Sequence, residues 1–134
     1  MATSPGTDIV GVARVARLID ERGQDFLERW FTPAEIAYCS AKARPSLHFA
    51  ARLAAKEAVV KALRLPWDGP LPWRDVEIVH DEHGAPRVRL SGRMRRSAER
   101  EDVRAIDVSL SHCEEYATAT AVADLVGRAS GPVS

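Results

Sequence analysis

The stretch from Leu47 to Leu63, LHFAARLAAKEAVVKAL, constrains the fold of this chain more than any other segment. It contains neither glycine nor proline, and six of its residues are alanine, so its intrinsic propensity alone predicts a helix. One face of that helix is apolar at helical spacing and consists largely of alanine: Leu47, Ala51, Ala54, Ala58 and Ala62. Because these side chains are small, we expect whatever packs against them to approach the helix backbone closely.

The few polar residues of this helix form two pairs one turn apart, Arg52 with Lys56 and Glu57 with Lys61. A glutamate–lysine pair at this spacing is common on solvated helix faces, where it contributes a few tenths of a kcal/mol. The same two groups also suit a site for a metal-bound phosphate, in which the carboxylate ligates a hard cation and the lysine neutralises phosphate oxygens. The helix alone does not decide between these interpretations.

Length and charge narrow the class of protein. A chain of 134 residues predicts one domain, and its 19 basic and 19 acidic residues cancel, so no general affinity for nucleic acid is expected. The two cysteines, Cys39 and Cys113, lack metal or redox spacing and are expected to be free thiols in a reducing compartment. No apolar run approaches the roughly 20 residues of a membrane span. Since the N-terminus also lacks the features of a signal peptide, we expect a cytoplasmic protein.

Local signals predict the other elements. Thr32 and Glu35 form a capping box, with Pro33 at the first helical position, so a helix begins there and runs to about Cys39. Residues 6–124 are predicted to form a single domain between flexible termini at 1–5 and 125–134. The remaining predicted elements are a strand at Gly6–Val10, helical segments at Val12–Arg22 and Phe26–Trp30, strands at Asp75–His80 and Pro86–Ser91, a helix at Gly92–Asp102, and strands at Arg104–His112 and Tyr116–Ala123.

A loop at Arg64–Trp73 separates the central helix from the first predicted hairpin, because it holds three prolines and a glycine. Its tryptophans, Trp67 and Trp73, are predicted to be packing anchors. His80 and His83 flank the hairpin turn and are interpreted as solvated turn residues, not zinc ligands. Because strands and helices do not alternate as βαβ units, the sequence favours an α+β fold, with a small antiparallel sheet and the long central helix packed on it.

Three segments of the chain together resemble the holo-acyl-carrier-protein synthase family, the small 4′-phosphopantetheinyl transferases. They are Gly6–Val10 with Arg14, Arg52–Leu63, and Val108–His112 with Tyr116–Ala117. The run R-x-A-A-K-E-A-x-x-K in the second segment is the specific part of the match. Phe31–Glu35 and Gly84–Pro86 add weaker support, and order and spacing agree over residues 6–123.

The resemblance implies transfer of 4′-phosphopantetheine from coenzyme A to a serine of an apo acyl carrier protein, with release of 3′,5′-ADP. It implies that Asp8 and Glu57 hold a Mg²⁺ ion. Either a metal-bound water or Glu57 itself would take the serine proton, and Lys61 would stabilise or protonate the leaving phosphate. Arg14 and Arg17 would dock the acidic recognition helix of the carrier protein.

Further contacts and an assembly follow from the same resemblance. Coenzyme A would contact Arg52, Lys56, Lys61, Arg64, Ser109 and His112. For Arg52 and Lys56, contact with the carrier protein is an open alternative. The family also implies a homotrimer with active sites at subunit interfaces, and the alanine face of the central helix is compatible with such close packing.

The chain departs from the family pattern at three places. Asp107 stands where the family usually has a histidine, which puts one catalytic or positioning role in doubt, and we hypothesise that its carboxylate lies near the metal. Arg64–Trp67 replaces a glycine-rich turn, so Arg64 is a candidate for binding the 3′-phosphate by charge. Polar residues at Ala2–Pro5 replace an apolar first strand and predict weaker edge pairing. An alternative function is therefore that of a catalytically impaired relative that binds a carrier protein or coenzyme A. If the chain is active, its partner could be a specialised carrier protein of a polyketide or peptide assembly line.

Overall fold

The structure, a computed structural model, describes residues 2–125. Its elements are β1 (Thr3–Gly11), α1 (Val12–Arg22), α2 (Gln24–Trp30), α3 (Pro33–Ser40), α4 (Pro45–Leu63), a 3₁₀ turn (Trp73–Asp75), β2 (Val76–His80), β3 (Pro86–Leu90), α5 (Gly92–Arg100), β4 (Ala105–His112) and β5 (Tyr116–Asp124). Each predicted helix and strand is present, with ends that differ by a few residues. Within the described part of the chain, no helix has the length and apolar character needed to cross a membrane.

The strands form two antiparallel sheets. A three-stranded sheet has the order β1-β5-β4, and β2 and β3 pair separately. Both predicted hairpins, β2 with β3 and β4 with β5, are confirmed. Helix α4 packs on the three-stranded sheet, where it contacts β1 and β5. The predicted α+β fold is therefore confirmed, with the difference that the strands divide between two sheets.

Small side chains bring β1 and α4 into close contact. The alanines of α4 are all buried, and Gly6 of β1 lies against the helix backbone. A Cβ built on Gly6 would overlap the carbonyl oxygen of Ala58 and lie 2.7 Å from the nitrogen of Ala62. The predicted close approach thus takes place inside one chain, so the alanine face is not available for packing between subunits.

Residues 3–5 are part of β1, contrary to the prediction that the segment 1–5 is flexible and pairs weakly, and Met1 lies outside the described residues. Thr3 pairs with Asp124 of β5, and the ladder continues without a break to Gly11. Leu125, predicted to lie in the flexible C-terminal segment, is buried and donates its N–H to the Ala2 carbonyl at 2.8 Å. Backbone hydrogen bonds need no apolar side chains, and β5 offers a partner of matching length. The remainder of the predicted C-terminal tail, residues 126–134, lies outside the described residues.

Helix α3 begins with the predicted capping box. The Thr32 hydroxyl accepts a hydrogen bond from the Glu35 N–H, and the Glu35 carboxylate accepts one from the Thr32 N–H. The predicted role of Trp73 as a packing anchor is confirmed, because its ring stacks on Trp30 with centroids 4.4 Å apart. The Trp30–Trp73 stack thus joins α2 to the 3₁₀ turn.

Candidate active site

A groove of about 650 Å³ lies between the C-terminal half of β1, helices α1 and α2, and the middle of α4. Its charged lining residues include two carboxylates that the sequence singled out, Asp8 and Glu57. Three arginines line the same groove: Arg14, Arg22 and Arg29. The groove therefore combines acidic groups from β1 and α4 with a wall from α1 and α2 that carries the three arginines and one carboxylate, Asp25.

The close packing of β1 on α4 places Asp8 beside the polar residues of the helix. The Lys61 ammonium donates to the Asp8 carboxylate (Oδ1) and to the Thr7 carbonyl, both at 3.0 Å. Lys61 thus forms its ion pair with Asp8 and not with Glu57, which lies one turn away on the same helix. This arrangement differs from the helix-surface pair considered from the sequence. The second oxygen of Asp8, Oδ2, is buried and has no hydrogen-bond partner.

Glu57 occupies an unfavourable environment for a charged carboxylate. Burial and the neighbouring Asp8 carboxylate raise the pKa of Glu57 to about 7, while Lys61 and Arg14 act in the opposite direction. Two adjacent carboxylates, one with a buried unpartnered oxygen, suit a hard divalent cation that binds through oxygen. Among the described residues no cluster of three or more His, Cys, Asp or Glu could hold a metal ion. The other ligands of a cation bound here would therefore come from water, a substrate or another copy of the chain.

A second groove, of about 340 Å³, lies on another side of α4 and is rich in cationic and aromatic groups. Its centre is the Tyr38 ring, which stacks on His80 with centroids 4.9 Å apart. The Arg52 guanidinium lies 4.1 Å and the Lys42 ammonium 4.4 Å from the Tyr38 centroid. Arg52 is also 3.3 Å from His80 Nδ1, and its buried Nε has no hydrogen-bond partner. His80 is thus part of this groove, and its interpretation as a solvated turn histidine is wrong.

Two further histidines complete this basic groove. His48 and His112 both line it, with ring centroids 6.2 Å apart, and Ser109 lies at its wall. Burial, followed by the charges of Arg52 and Lys42, lowers the pKa of both His48 and His80. A bound anion would offset these positive charges. The groove therefore suits a phosphate-bearing ligand with an aromatic or ribose part.

The structure argues against two of the predicted site residues. Lys56 is fully buried, and its ammonium forms an ion pair with Glu35 at 2.8 Å. It cannot reach coenzyme A or a carrier protein from this position. Asp107 pairs across the sheet with Val122, and the strand alternation puts it on the face away from α4. The hypothesised third carboxylate is therefore not near Asp8 in the same chain.

Other predicted residues lie at the edges of these grooves. Arg14 lines the carboxylate groove, whereas Arg17 is exposed on α1 outside it. Arg64 caps α4 in a left-handed conformation with φ of 50° and lines neither groove. Sequence reasoning assigned no role in the site to Arg22, Arg29, Tyr38, Lys42 or His48. Of these five residues, only Arg22 could have been predicted from the sequence, because it lies eight positions from Arg14 on one face of the same helix.

Comparison with known proteins identifies the architecture. The family model described as the 4′-phosphopantetheinyl transferase superfamily matches residues 4–121. The chain belongs to this superfamily. It is 48% identical over 119 residues to a holo-(acyl-carrier-protein) synthase of Moorella thermoacetica, covering 89% of this chain and 91% of that protein. The family predicted from the three sequence segments is therefore confirmed.

Solved structures of superfamily members share the fold. A holo-(acyl-carrier-protein) synthase from Neisseria meningitidis superimposes with a TM-score of 0.82 at 32% identity, covering 90% of this chain and 97% of that one. A Helicobacter pylori holo-(acyl-carrier-protein) synthase in complex with coenzyme A gives a TM-score of 0.78 at 31% identity, covering 90% and 99%. The match extends over nearly the whole length of both proteins, so this chain shares their fold.

Proposed function

We propose that this chain transfers the 4′-phosphopantetheine group of coenzyme A to a serine of an apo acyl carrier protein and releases 3′,5′-ADP. The observation that carries the proposal is the group formed by Asp8, Glu57 and Lys61 in the carboxylate groove, two adjacent carboxylates and one ammonium. Membership of the superfamily and the likeness to a synthase that binds coenzyme A support it.

Asp8 and Glu57 would hold a Mg²⁺ ion, and the residues present fit it. The buried Oδ2 of Asp8 has no hydrogen-bond partner, and a second carboxylate lies next to it. When bound, the ion would neutralise negative charge on the phosphate oxygens. Without a cation, burial and, after it, the neighbouring Asp8 carboxylate disfavour the charged form of Glu57 and raise its pKa.

The reaction needs a base for the serine proton and a cation for the leaving group. The serine oxygen forms a bond to the β-phosphorus, and the bond from that phosphorus to the bridging oxygen breaks. Glu57 lines the groove beside Asp8, and its carboxylate would accept the serine proton. Lys61, anchored by Asp8 and Thr7, is half-exposed and can stabilise the charge that develops on the departing 3′,5′-ADP.

The carrier protein would dock on the arginines of the carboxylate groove. Arg14, Arg22 and Arg29 line the groove that holds Asp8 and Glu57. An acidic helix that pairs with these arginines would bring its serine close to the base. Arg17 is exposed on the same helix, α1, and would contact the carrier protein at the periphery.

The phosphoadenosine end of coenzyme A would bind the basic groove around Arg52, with Ser109 and His112 at its wall. Arg52 and Glu57 are five positions apart on α4, about 140° around the helix axis, so the two grooves of one chain open on different sides. We therefore propose a homotrimer in which the carboxylate groove of one copy meets the basic groove of the next. The exposed sheet residues Ile9 and Val122 would lie in its interface.

The transfer reaction is tested by intact-mass spectrometry of an apo carrier protein incubated with this chain, coenzyme A and Mg²⁺. We expect a mass gain of one phosphopantetheine arm. Glu57→Gln should abolish it, whereas the surface variant Glu99→Gln should retain it. Coenzyme A binding without any transfer to several carrier proteins would contradict catalysis and favour the alternative of a non-catalytic binding module.

The shared active site has its own test, the mixing of two inactive variants. If each site uses residues of two chains, Glu57→Gln mixed with Arg52→Ala should recover activity, because some interfaces combine two intact grooves. Each variant alone should stay inactive, and light scattering should report a trimer. No recovery after subunit exchange would refute the two-chain site while leaving the transfer reaction itself untouched.

A further inference from the structure

Two cavities outside both grooves meet at Trp67, in the loop that follows α4. The first has a volume of about 240 Å³ and an apolar lining: Val60, Leu63, Leu65, Trp67, Leu71 and Met94 with Gly69. The second has a volume of about 320 Å³, and its lining includes three arginines of α5. Neither cavity shares a lining residue with the carboxylate groove or the basic groove.

The apolar cavity is held in shape by the loop itself. The Trp67 indole N–H donates to the Pro70 carbonyl at 3.2 Å, which closes the loop on itself. Gly69 has a φ of 85°, a conformation that favours glycine, and so permits the turn. Leu63 and Met94 are fully buried at the cavity wall. The cavity is therefore formed before any ligand arrives.

The second cavity is cationic and also has Trp67 in its lining. Arg93, Arg96 and Arg100 are spaced three and seven positions apart, so they project from one side of α5. The Arg93 guanidinium lies 4.9 Å from the Trp67 ring centroid. Within residues 2–125, no carboxylate forms an ion pair with any of these three arginines. Asp68 is the one acidic residue in the lining, and it is exposed.

We propose that these two cavities form one site for an amphiphilic anion, a short alkyl or acyl chain with a carboxylate or phosphate head group. The chain would enter the apolar cavity, where its burial is favourable. The head group would pair with Arg96 and Arg100, since guanidinium groups bind both anions in two-point contacts. The apolar volume is smaller than that of a typical ligand pocket, so the site selects short chains.

The test is calorimetric titration of the full chain with octyl phosphate, octanoate, octanol and inorganic phosphate, each below its micelle concentration. Octyl phosphate or octanoate should bind at least ten times more tightly than octanol or inorganic phosphate. Comparison of the first two ligands identifies the preferred head group. Arg96→Ala/Arg100→Ala should weaken anion binding at least tenfold and leave octanol binding unchanged. Leu71→Asp should weaken both.

Arg95→Ala provides the matched control, because Arg95 is on the same helix but pairs with Glu99 outside the cavity. It should bind octyl phosphate like the unaltered chain. Saturating coenzyme A should also leave this binding intact. The proposal would be overturned if octanol and octyl phosphate bound with equal affinity, or if the double variant bound octyl phosphate like the unaltered chain. It would also be overturned if Arg95→Ala weakened octyl phosphate binding as much as the double variant, or if coenzyme A competed with octyl phosphate.

Discussion

Lys56 should be among the residues on which the stability of this fold depends most. Its ammonium has no solvent contact and three partners: Glu35 at 2.8 Å, the Val76 carbonyl at 2.6 Å and the Trp73 carbonyl at 3.1 Å. Burial lowers the pKa of Lys56, and the Glu35 carboxylate opposes that shift. Glu35 in turn accepts hydrogen bonds from the Ile78 N–H and from the N-cap of α3. The pair thus joins α3, α4, the 3₁₀ turn and β2.

Lys56→Met keeps the length of the side chain but leaves the Glu35 carboxylate buried without its cation. Removal of one partner from a buried pair costs about 3–5 kcal/mol. Since domains of this size have about 5–15 kcal/mol of total stability, we expect the melting temperature to fall by roughly 10–20 °C.

Chemical denaturation of Lys56→Met, Glu35→Gln and the double variant measures this effect and the coupling between the two residues. The double variant should lose less stability than the sum of the single variants, by about 1–3 kcal/mol. The surface pair Arg95–Glu99 is the control, and Glu99→Gln should cost less than about 0.5 kcal/mol. A loss below about 1 kcal/mol for Lys56→Met, or additive effects of the two single variants, would refute the reasoning.

Three further predictions follow from the packing of β1, α3 and α4. Gly6→Ala should destabilise the fold by several kcal/mol, because its Cβ would overlap the Ala58 backbone, and an unchanged denaturation midpoint would contradict this contact. Without metal, Glu57→Gln should raise the melting temperature by a few degrees, because it removes a carboxylate that is disfavoured by burial and by the neighbouring Asp8. It should also abolish stabilisation by Mg²⁺, which the unaltered chain should show in thermal shift assays. Cys113 is exposed, whereas burial raises the pKa of Cys39 to about 11, so a thiol reagent should label Cys113 alone until the protein unfolds.

Local chemistry in the sequence determined most of the elements and part of the candidate site. The alanine-rich run predicted α4, the capping box predicted the start of α3, and alternating apolar residues predicted both hairpins. These predictions were possible because each pattern depends on residues close together in the chain. The resemblance also picked out Asp8, Glu57 and Lys61, and the fold brings these three side chains together. The three side chains come together because Gly6 and the alanines of α4 let β1 lie directly on that helix.

Only the tertiary structure decided which polar residues face a groove and which are buried. Lys56 and Arg52 lie one turn apart on α4, yet one pairs with Glu35 in the core and the other lines the basic groove. Asp107 lies on the far sheet face because strand register sets its direction, and a shift of one residue would reverse it. Arg29 lines the carboxylate groove only because α2, on which it lies, packs beside that groove. Contacts between distant segments depend on register and packing, which local sequence patterns do not encode.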